Sequence, residues 1–316
     1  MDKTKETSTK APLLEVRDLS VSFTGYTKGL RQRSVEVISG LNLTISCGEI
    51  VAVVGASGSG KSLLASSILG ILPENASMKG EILYNGEELT LEKQFNLRGK
   101  EITLIPQTVN SLDPLMKTGK QVQASVKIGN KKETQREVFN KVHLETEVEN
   151  LYPFQISGGM ARRVLAATAM VSSSQLVIAD EPTPGLDEKV LNETVNHLRR
   201  LADEGRGIMF ITHDIMTALK VADRVAVFYA GTTIEIANVS DFSGRGEHLR
   251  HPYTKALWRA LPQNDFIPIE GSQPLAAELP AGCLFEPRCP HATSLCKEIR
   301  PDFNHVRKGY VRCFHA

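Results

Sequence analysis

Neither sign of charge dominates this sequence. Its 316 residues hold 37 Lys and Arg against 36 Asp and Glu, a formal net charge of +1. That balance gives no electrostatic case for a chain-wide nucleic-acid or lipid-binding surface, and no nucleic-acid partner is expected. Long apolar runs are also missing. No window reaches the ~18–20 apolar residues of a spanning helix, and the longest candidate, around Leu63 to Leu72, is short and carries Ser and Gly. The charged opening MDKTKETSTK has no apolar stretch behind it and does not read as a secretory signal. Internal repeats are absent. The chain reads as soluble or peripheral, and cytosolic. Cysteine is scarce and unevenly placed: of five, Cys47 stands alone, and Cys283, Cys289, Cys296 and Cys313 fall in the last 34 residues. In a cytosolic chain such a cluster points to a metal site rather than a disulfide framework. What remains is an ordinary globular composition, 41% hydrophobic and 23% charged, long enough for one well-buried domain and an appendage.

The pattern along the chain divides it. Residues 1–12 read as a solvated tail. Alternation in LLEVRDLSVSF from Leu13, and again from Val35 to Ile45, predicts strands. Ile50 to Val54, Leu176 to Ala179 and Ile208 to Ile211 are short apolar, β-branched runs of the kind buried on both faces of a sheet. Val190, Leu191, Val195, Leu198 and Leu201 share one helical face between the last two runs. Strands alternating with helices predict an α/β fold on a mostly parallel sheet. A polar stretch from about 108 to 156 has helical composition and no buried strand, and reads as a helical insert. After about residue 240 the α/β rhythm stops, and a Pro-rich segment leads to the cysteines.

Gly55-Ala56-Ser57-Gly58-Ser59-Gly60-Lys61-Ser62 matches G-x-x-x-x-G-K-S between a predicted strand and a predicted helix. Glycines there turn backbone N–H groups toward phosphate oxygens, and the helix N-terminus adds a favourable dipole. Lys61 can reach the β- and γ-phosphates, and the Ser62 hydroxyl can ligate Mg²⁺. Asp180, ending the apolar run Leu176 to Ala179, suits the same Mg²⁺ shell, and Glu181 after it can serve as a general base.

With these motifs and Ile156-Ser157-Gly158-Gly159-Met160, the chain resembles the nucleotide-binding subunit of an ATP-binding-cassette transporter. The Ser-Gly-Gly core matches that family's signature, although Met160 and Ala161 depart from its commonest form. The resemblance implies a P-loop ATPase core on a mixed or parallel sheet, with a helical subdomain and a small Cys-rich C-terminal extension. It implies an ATP-binding domain over 13–240 and an extension over 241–316. ATP contacts would come from Gly55, Ser57, Gly58, Ser59, Gly60, Lys61, Ser62 and Leu63. Phe23, or else Tyr26, would stack on adenine, unless Phe23 serves core packing. Gln107 would sense Mg²⁺ and the attacking water, sharing the metal with Ser62 and Asp180. His213 would contact the γ-phosphate. Ser157, Gly158 and Gly159 would face a nucleotide held by a second protomer, and Asp187 would sit at that dimer interface.

The tail refines the resemblance. His251 to Leu257, HPYTKAL, precedes cysteines spaced C-x5-C-x6-C-x16-C, unlike the paired C-x2-C of zinc ribbons. This is similar to the extension of the oligopeptide, dipeptide and nickel importer subfamily, in some members of which four cysteines ligate a 4Fe–4S cluster. The resemblance therefore implies a 4Fe–4S cluster on Cys283, Cys289, Cys296 and Cys313, with zinc as the alternative, since soft thiolates hold both. Implied partners are two transmembrane permease subunits, a second ATPase subunit as heterodimer, and an extracytoplasmic binding protein, placing the chain at the cytoplasmic face of the membrane. Peptides are the favoured cargo, with nickel or a metal chelate next. A soluble regulatory ATPase with a redox- or iron-sensing tail is the alternative of another class.

Overall fold

The computed structural model describes residues 11–26, 29, 31–185 and 188–316. Strands β1 (Leu14–Tyr26), β2 (Gln32–Ile45), β3 (Ile50–Gly55), β4 (Ala76–Tyr84) and β5 (Glu87–Glu88) open the chain, with helix α1 (Lys61–Leu69) after β3. Helix α2 (Leu91–Leu97) and strand β6 (Ile102–Ile105) follow. The stretch up to β7 (Leu176–Asp180) is helical: α3 (Thr118–Ser125), α4 (Lys131–Lys141) and α5 (Gly158–Met170), with three short 3-10 turns. Then come α6 (Glu188–Asp203), β8 (Gly207–Thr212), α7 (Ile215–Val221), β9 (Arg224–Tyr229) and β10 (Thr232–Asn238). The last elements are α8 (Pro252–Arg259), α9 (Ser294–Glu298), β11 (Asn304–Val306) and β12 (Gly309–Val311).

These strands form two sheets. One is antiparallel, in the order β2-β1-β4-β5; the other runs β11-β12-β10-β9-β3-β8-β7-β6. Within the larger sheet β9, β3, β8, β7 and β6 are parallel, and β10, β12 and β11 add antiparallel partners. Side chains of β3 alternate between two cores, as a period-two strand requires. Ile50, Ala52 and Val54 join Val164, Val195, Leu198 and Leu201 on the face covered by α5 and α6. Val51 and Val53 join Val16, Leu41, Leu64 and Ile68 between the two sheets. Burial on both faces explains why β3 reads as a continuous apolar run. The antiparallel sheet goes beyond the mostly parallel expectation: β4 and β5 carry little apolar alternation of their own, and β4 is held by pairing with β1 and β5 by pairing with β4.

The tail is not the irregular appendage its proline content suggests. Strand β12 covers β10, pairing Glu235 with Val311 and Ile236 with Tyr310, so the long sheet does not end on β10. Tyr253 and Phe285 from the tail pack on Tyr229 of β9 at ring-centroid distances of 4.6 and 5.4 Å. Glu235 is fully buried, and its carboxylate accepts hydrogen bonds from the backbone N–H groups of Arg250 and His251, both at 2.8 Å. Burial raises its carboxyl pKa, and those bonds together with the Arg250 charge oppose the rise. The Arg250 guanidinium lies 3.3 Å from Glu235 and 3.0 Å from Asp241. Removing one partner of such a pair leaves an uncompensated buried charge, costing about 3–5 kcal/mol. Arg250→Met should therefore lower the unfolding free energy by that amount, read as a lower denaturant midpoint at an unchanged m-value. A loss below about 1 kcal/mol would show that the network does not hold the tail to the sheet.

Candidate active site

The strand–loop–helix at residues 50–69 is shaped to hold phosphate. A Cβ at Gly55 would lie 2.6 Å from the Phe228 carbonyl oxygen, so no larger residue fits where β3 turns into the loop. Gly60 closes the loop at φ 97°, a left-handed conformation that side chains rarely adopt, and α1 begins at the next residue. Lys61 Nζ donates to the carbonyls of Gly55 and Ala56 at 2.8 and 3.0 Å, so the ammonium is held inside the turn. Burial lowers the Lys61 pKa, while Glu181 and Asp180 pull it back up. Ser57 and Gly58 are exposed at the tip of the loop, Ser62 is exposed on α1, and Leu63 packs partly against the inter-sheet core.

Asp180 ends β7 with its carboxylate buried and Oδ1 without a partner, and the Ser59 hydroxyl is likewise buried and unpartnered. Burial raises the Asp180 pKa, and hydrogen bonding by Ser62 opposes the rise. A buried carboxylate oxygen with no donor beside a Ser hydroxyl supplies oxygen ligands of the kind Mg²⁺ takes alongside phosphate and water. Asp180 and Ser62 would hold Mg²⁺, which neutralises phosphate charge when bound, and Gln107 is held at the neighbouring Glu181.

Glu181 takes φ 45°, unusual for a residue with a side chain, and its backbone N–H donates to the Ile211 carbonyl at 2.9 Å. That turn aims the carboxylate between two of the expected site residues. Oε2 accepts a hydrogen bond from Gln107 Nε2 at 2.9 Å, and Oε1 lies 3.3 Å from His213 Nδ1. Three residues separated by 74 and 32 positions thus meet at one carboxylate, in reach of the phosphate loop's lysine. A carboxylate so bracketed can orient a water molecule and accept its proton.

At the start of α5, the Ser157 hydroxyl caps the helix by accepting from the Met160 N–H at 3.2 Å. Gly158 and Gly159 have no neighbouring atoms where a Cβ would stand, so this helix N-terminus faces open space. Phe23 is half-buried and packs against the inter-sheet core, whereas Tyr26 at the strand end is 70% exposed. Packing thus engages Phe23 and leaves Tyr26 the more available ring. Asp187 lies outside the described residues. Sequence reading missed Arg163, which donates to the His143 carbonyl at 2.7 Å and to the Gly159 carbonyl at 3.4 Å, tying the Ser-Gly-Gly turn to the end of α4. Its place two residues after Ala161 was the available signal.

The metal expected in the tail finds no support in the structure. Cys283, Cys289, Cys296 and Cys313 lie close enough to interact electrostatically, and burial, chiefly, raises the pKa of Cys283, Cys289 and Cys313, the last to about 11. Yet among the described residues no group of three or more His, Cys, Asp or Glu side chains is arranged to hold a metal ion. Cys296 Sγ instead lies 3.4 Å from Thr293 Oγ1 and 3.5 Å from His315 Nε2, and Cys313 Sγ accepts from the His315 N–H at 3.3 Å. Spacing counts sulfur atoms but does not set where they point. That arrangement gives no support for the expected 4Fe–4S cluster or zinc ion.

The family model described as ABC transporter matches residues 38–184, and that described as oligopeptide/dipeptide transporter, C-terminal region, matches residues 234–296. The dimeric post-hydrolysis state of the ATP-binding cassette MJ0796 bound to ADP and Pi superposes with a TM-score of 0.62 at 25% identity, over 72% of this chain and 98% of that one. Fold, site and these likenesses define an ATP-hydrolysing cassette. The relatives are more particular. The oligopeptide transport ATP-binding protein OppD of Salmonella typhimurium is 35% identical, across 94% of this chain and 93% of its own length. The dipeptide transport ATP-binding protein DppD of Haemophilus influenzae is 32% identical, across 95% and 94%. The chain belongs to the family of ABC transporter ATP-binding subunits, in the group with the oligopeptide/dipeptide C-terminal region. No helix among its described residues is long and apolar enough to cross a membrane.

Proposed function

We propose that this chain hydrolyses ATP to drive import of oligopeptides or dipeptides across the cytoplasmic membrane, as one subunit of a multisubunit transporter. The observation that carries the reading is the likeness to oligopeptide and dipeptide transport ATP-binding proteins along nearly the whole chain, tail included. In this reading Glu181 is the general base, Gln107 and His213 position it, and Lys61 with the loop around it binds the phosphates. Asp180 and Ser62 hold Mg²⁺. Ser157, Gly158 and Gly159, with Asp187, act across a dimer on the nucleotide of a second, related ATPase chain. Residues 13–240 form the ATP-binding domain, the insert over 108–156 passes movement outward, and residues 241–316 form the extension. The reading does not depend on a metal at the four cysteines.

The chain would sit at the cytoplasmic face of the membrane on two permease subunits, with an extracytoplasmic binding protein supplying cargo. Segment 111–120 is the proposed contact, supported by Leu115 at 87% exposure and Met116 at 39%. Apolar side chains so exposed gain from burial against a partner. A tagged pull-down from gently solubilised native membranes tests the assembly. Two multi-spanning proteins, a second cassette ATPase and a lipid-anchored binding protein are expected. Soluble partners alone, from a preparation that keeps other transporters intact, would contradict it.

A further inference from the structure

A cavity of about 320 Å³ opens between the end of α4 and helices α5 and α6, lined in part by Arg163, which also donates to the Gly159 carbonyl of the Ser-Gly-Gly turn. Its inner wall is apolar, built by Ile105, Met170, Leu198 and Leu201. Its rim is cationic: Lys141, Arg163 and Arg200 line it, and Glu193, the acidic side chain among the lining residues, is paired with His143 at 3.0 Å. His197 also lines it, and its Nε2 is buried with no hydrogen-bond partner. Burial, helped by Arg200, Lys141 and Arg206, lowers the His197 pKa to about 4, so the ring is neutral near pH 7. A concave apolar wall with a few convergent polar groups is the usual form of a small-molecule site, and the volume falls at the small end of such sites.

We propose that this cavity binds a small amphipathic carboxylate, its apolar body against Met170, Leu198 and Leu201 and its head group between Lys141 and Arg200. The cationic rim with its single acid already paired favours an anion over a neutral or cationic ligand. The cavity shares Ile105, Arg163, Ala166 and Thr194 with a crevice of about 10 Å³ that ends on Gln107 and Glu181. An occupant that engages Arg163 therefore acts on the residue that fastens Gly159, and so on the Ser-Gly-Gly turn. Binding stands by itself; its effect on turnover rests on the transporter reading.

The test uses the purified full chain with octanoate as probe, and octanol and octylammonium as uncharged and cationic controls of the same length. NMR follows the Met170 methyl and the His197 ring. Octanoate should shift both saturably, with an affinity at least tenfold above either control. The charge-reversed double variant Lys141→Glu, Arg200→Glu changes two exposed side chains, and its folding is checked by thermal melting. It should lose at least tenfold in octanoate affinity and keep its affinity for octanol. No saturable shift at Met170 and His197, octanol binding as tightly as octanoate, or undiminished octanoate binding by the charge-reversed chain would each overturn the site. In the assembled complex, octanoate should change ATP turnover in the parent chain and not in the double variant. Equal turnover in both would overturn the coupling while leaving the binding result in place.

Discussion

Glu181→Gln lowers ATP turnover by about two to four orders of magnitude while ATP still binds. The amide keeps the size of the side chain and can still meet Gln107 and His213, which stand 2.9 and 3.3 Å from the carboxylate. What it loses is the ability to take a proton from water. Since the phosphate loop is untouched, nucleotide would still join the two protomers of the proposed dimer, and the variant is expected to accumulate in the ATP-bound closed state. Single-turnover hydrolysis in the assembled complex, with size analysis in the presence of ATP, reads both effects. Turnover within a factor of about three of the parent would remove Glu181 from the role of base, because general-base catalysis is worth far more than that.

Lys61→Ala acts one step earlier and reduces ATP affinity itself by about ten- to a hundredfold. The lysine ammonium sits inside the loop on the carbonyls of Gly55 and Ala56. A phosphate would replace those neutral acceptors with charged ones, and hydrogen bonds to charged groups contribute about 1.5–3 kcal/mol each. Alanine supplies no donor at this buried position. Equilibrium binding of a non-hydrolysable ATP analogue measures the loss. Undiminished affinity would mean that the loop does not grip phosphate through Lys61. The two variants separate binding from chemistry, and a chain in which both lowered affinity equally would lack that separation.

The catalytic half of the molecule was legible from sequence because its chemistry is local. Gly55 to Ser62 is a contiguous turn whose glycines answer steric demands visible in the fold, at Gly55 against Phe228 and at Gly60 with its left-handed backbone. Asp180 ends a strand buried throughout and Glu181 follows it, and four apolar residues in a row announce such a strand. The meeting of Glu181, Gln107 and His213 came from family resemblance; only the parallel pairing of β6, β7 and β8 brings their strand ends together.

Where the sequence was opaque, the determinants are non-local. Glu235 interrupts an apolar strand and would ordinarily point to water, yet it is buried because Arg250, some fifteen residues on, folds back over it. Strand β12 has three residues, Gly309 to Val311, too few to show an alternation, and is held by β10 on one side and β11 on the other. Phe23 illustrates a different limit. An aromatic ring in the last few residues of a strand serves adenine or the core equally well by composition, and packing against the inter-sheet cluster engages Phe23 here. For the cysteines, sequence reports four soft ligands and their separations along the chain, whereas coordination depends on rotamers and on competitors such as Thr293 and His315.

The most direct measurement is peptide uptake by the purified complex rebuilt in lipid vesicles, with this chain exposed to ATP and Mg²⁺ and the binding protein on the opposite side. The account predicts accumulation of a labelled short peptide that needs ATP, needs the binding protein, and falls to background when Glu181 is replaced by Gln. ATP hydrolysis by the intact complex with no peptide movement, or uptake that survives Glu181→Gln, would contradict it.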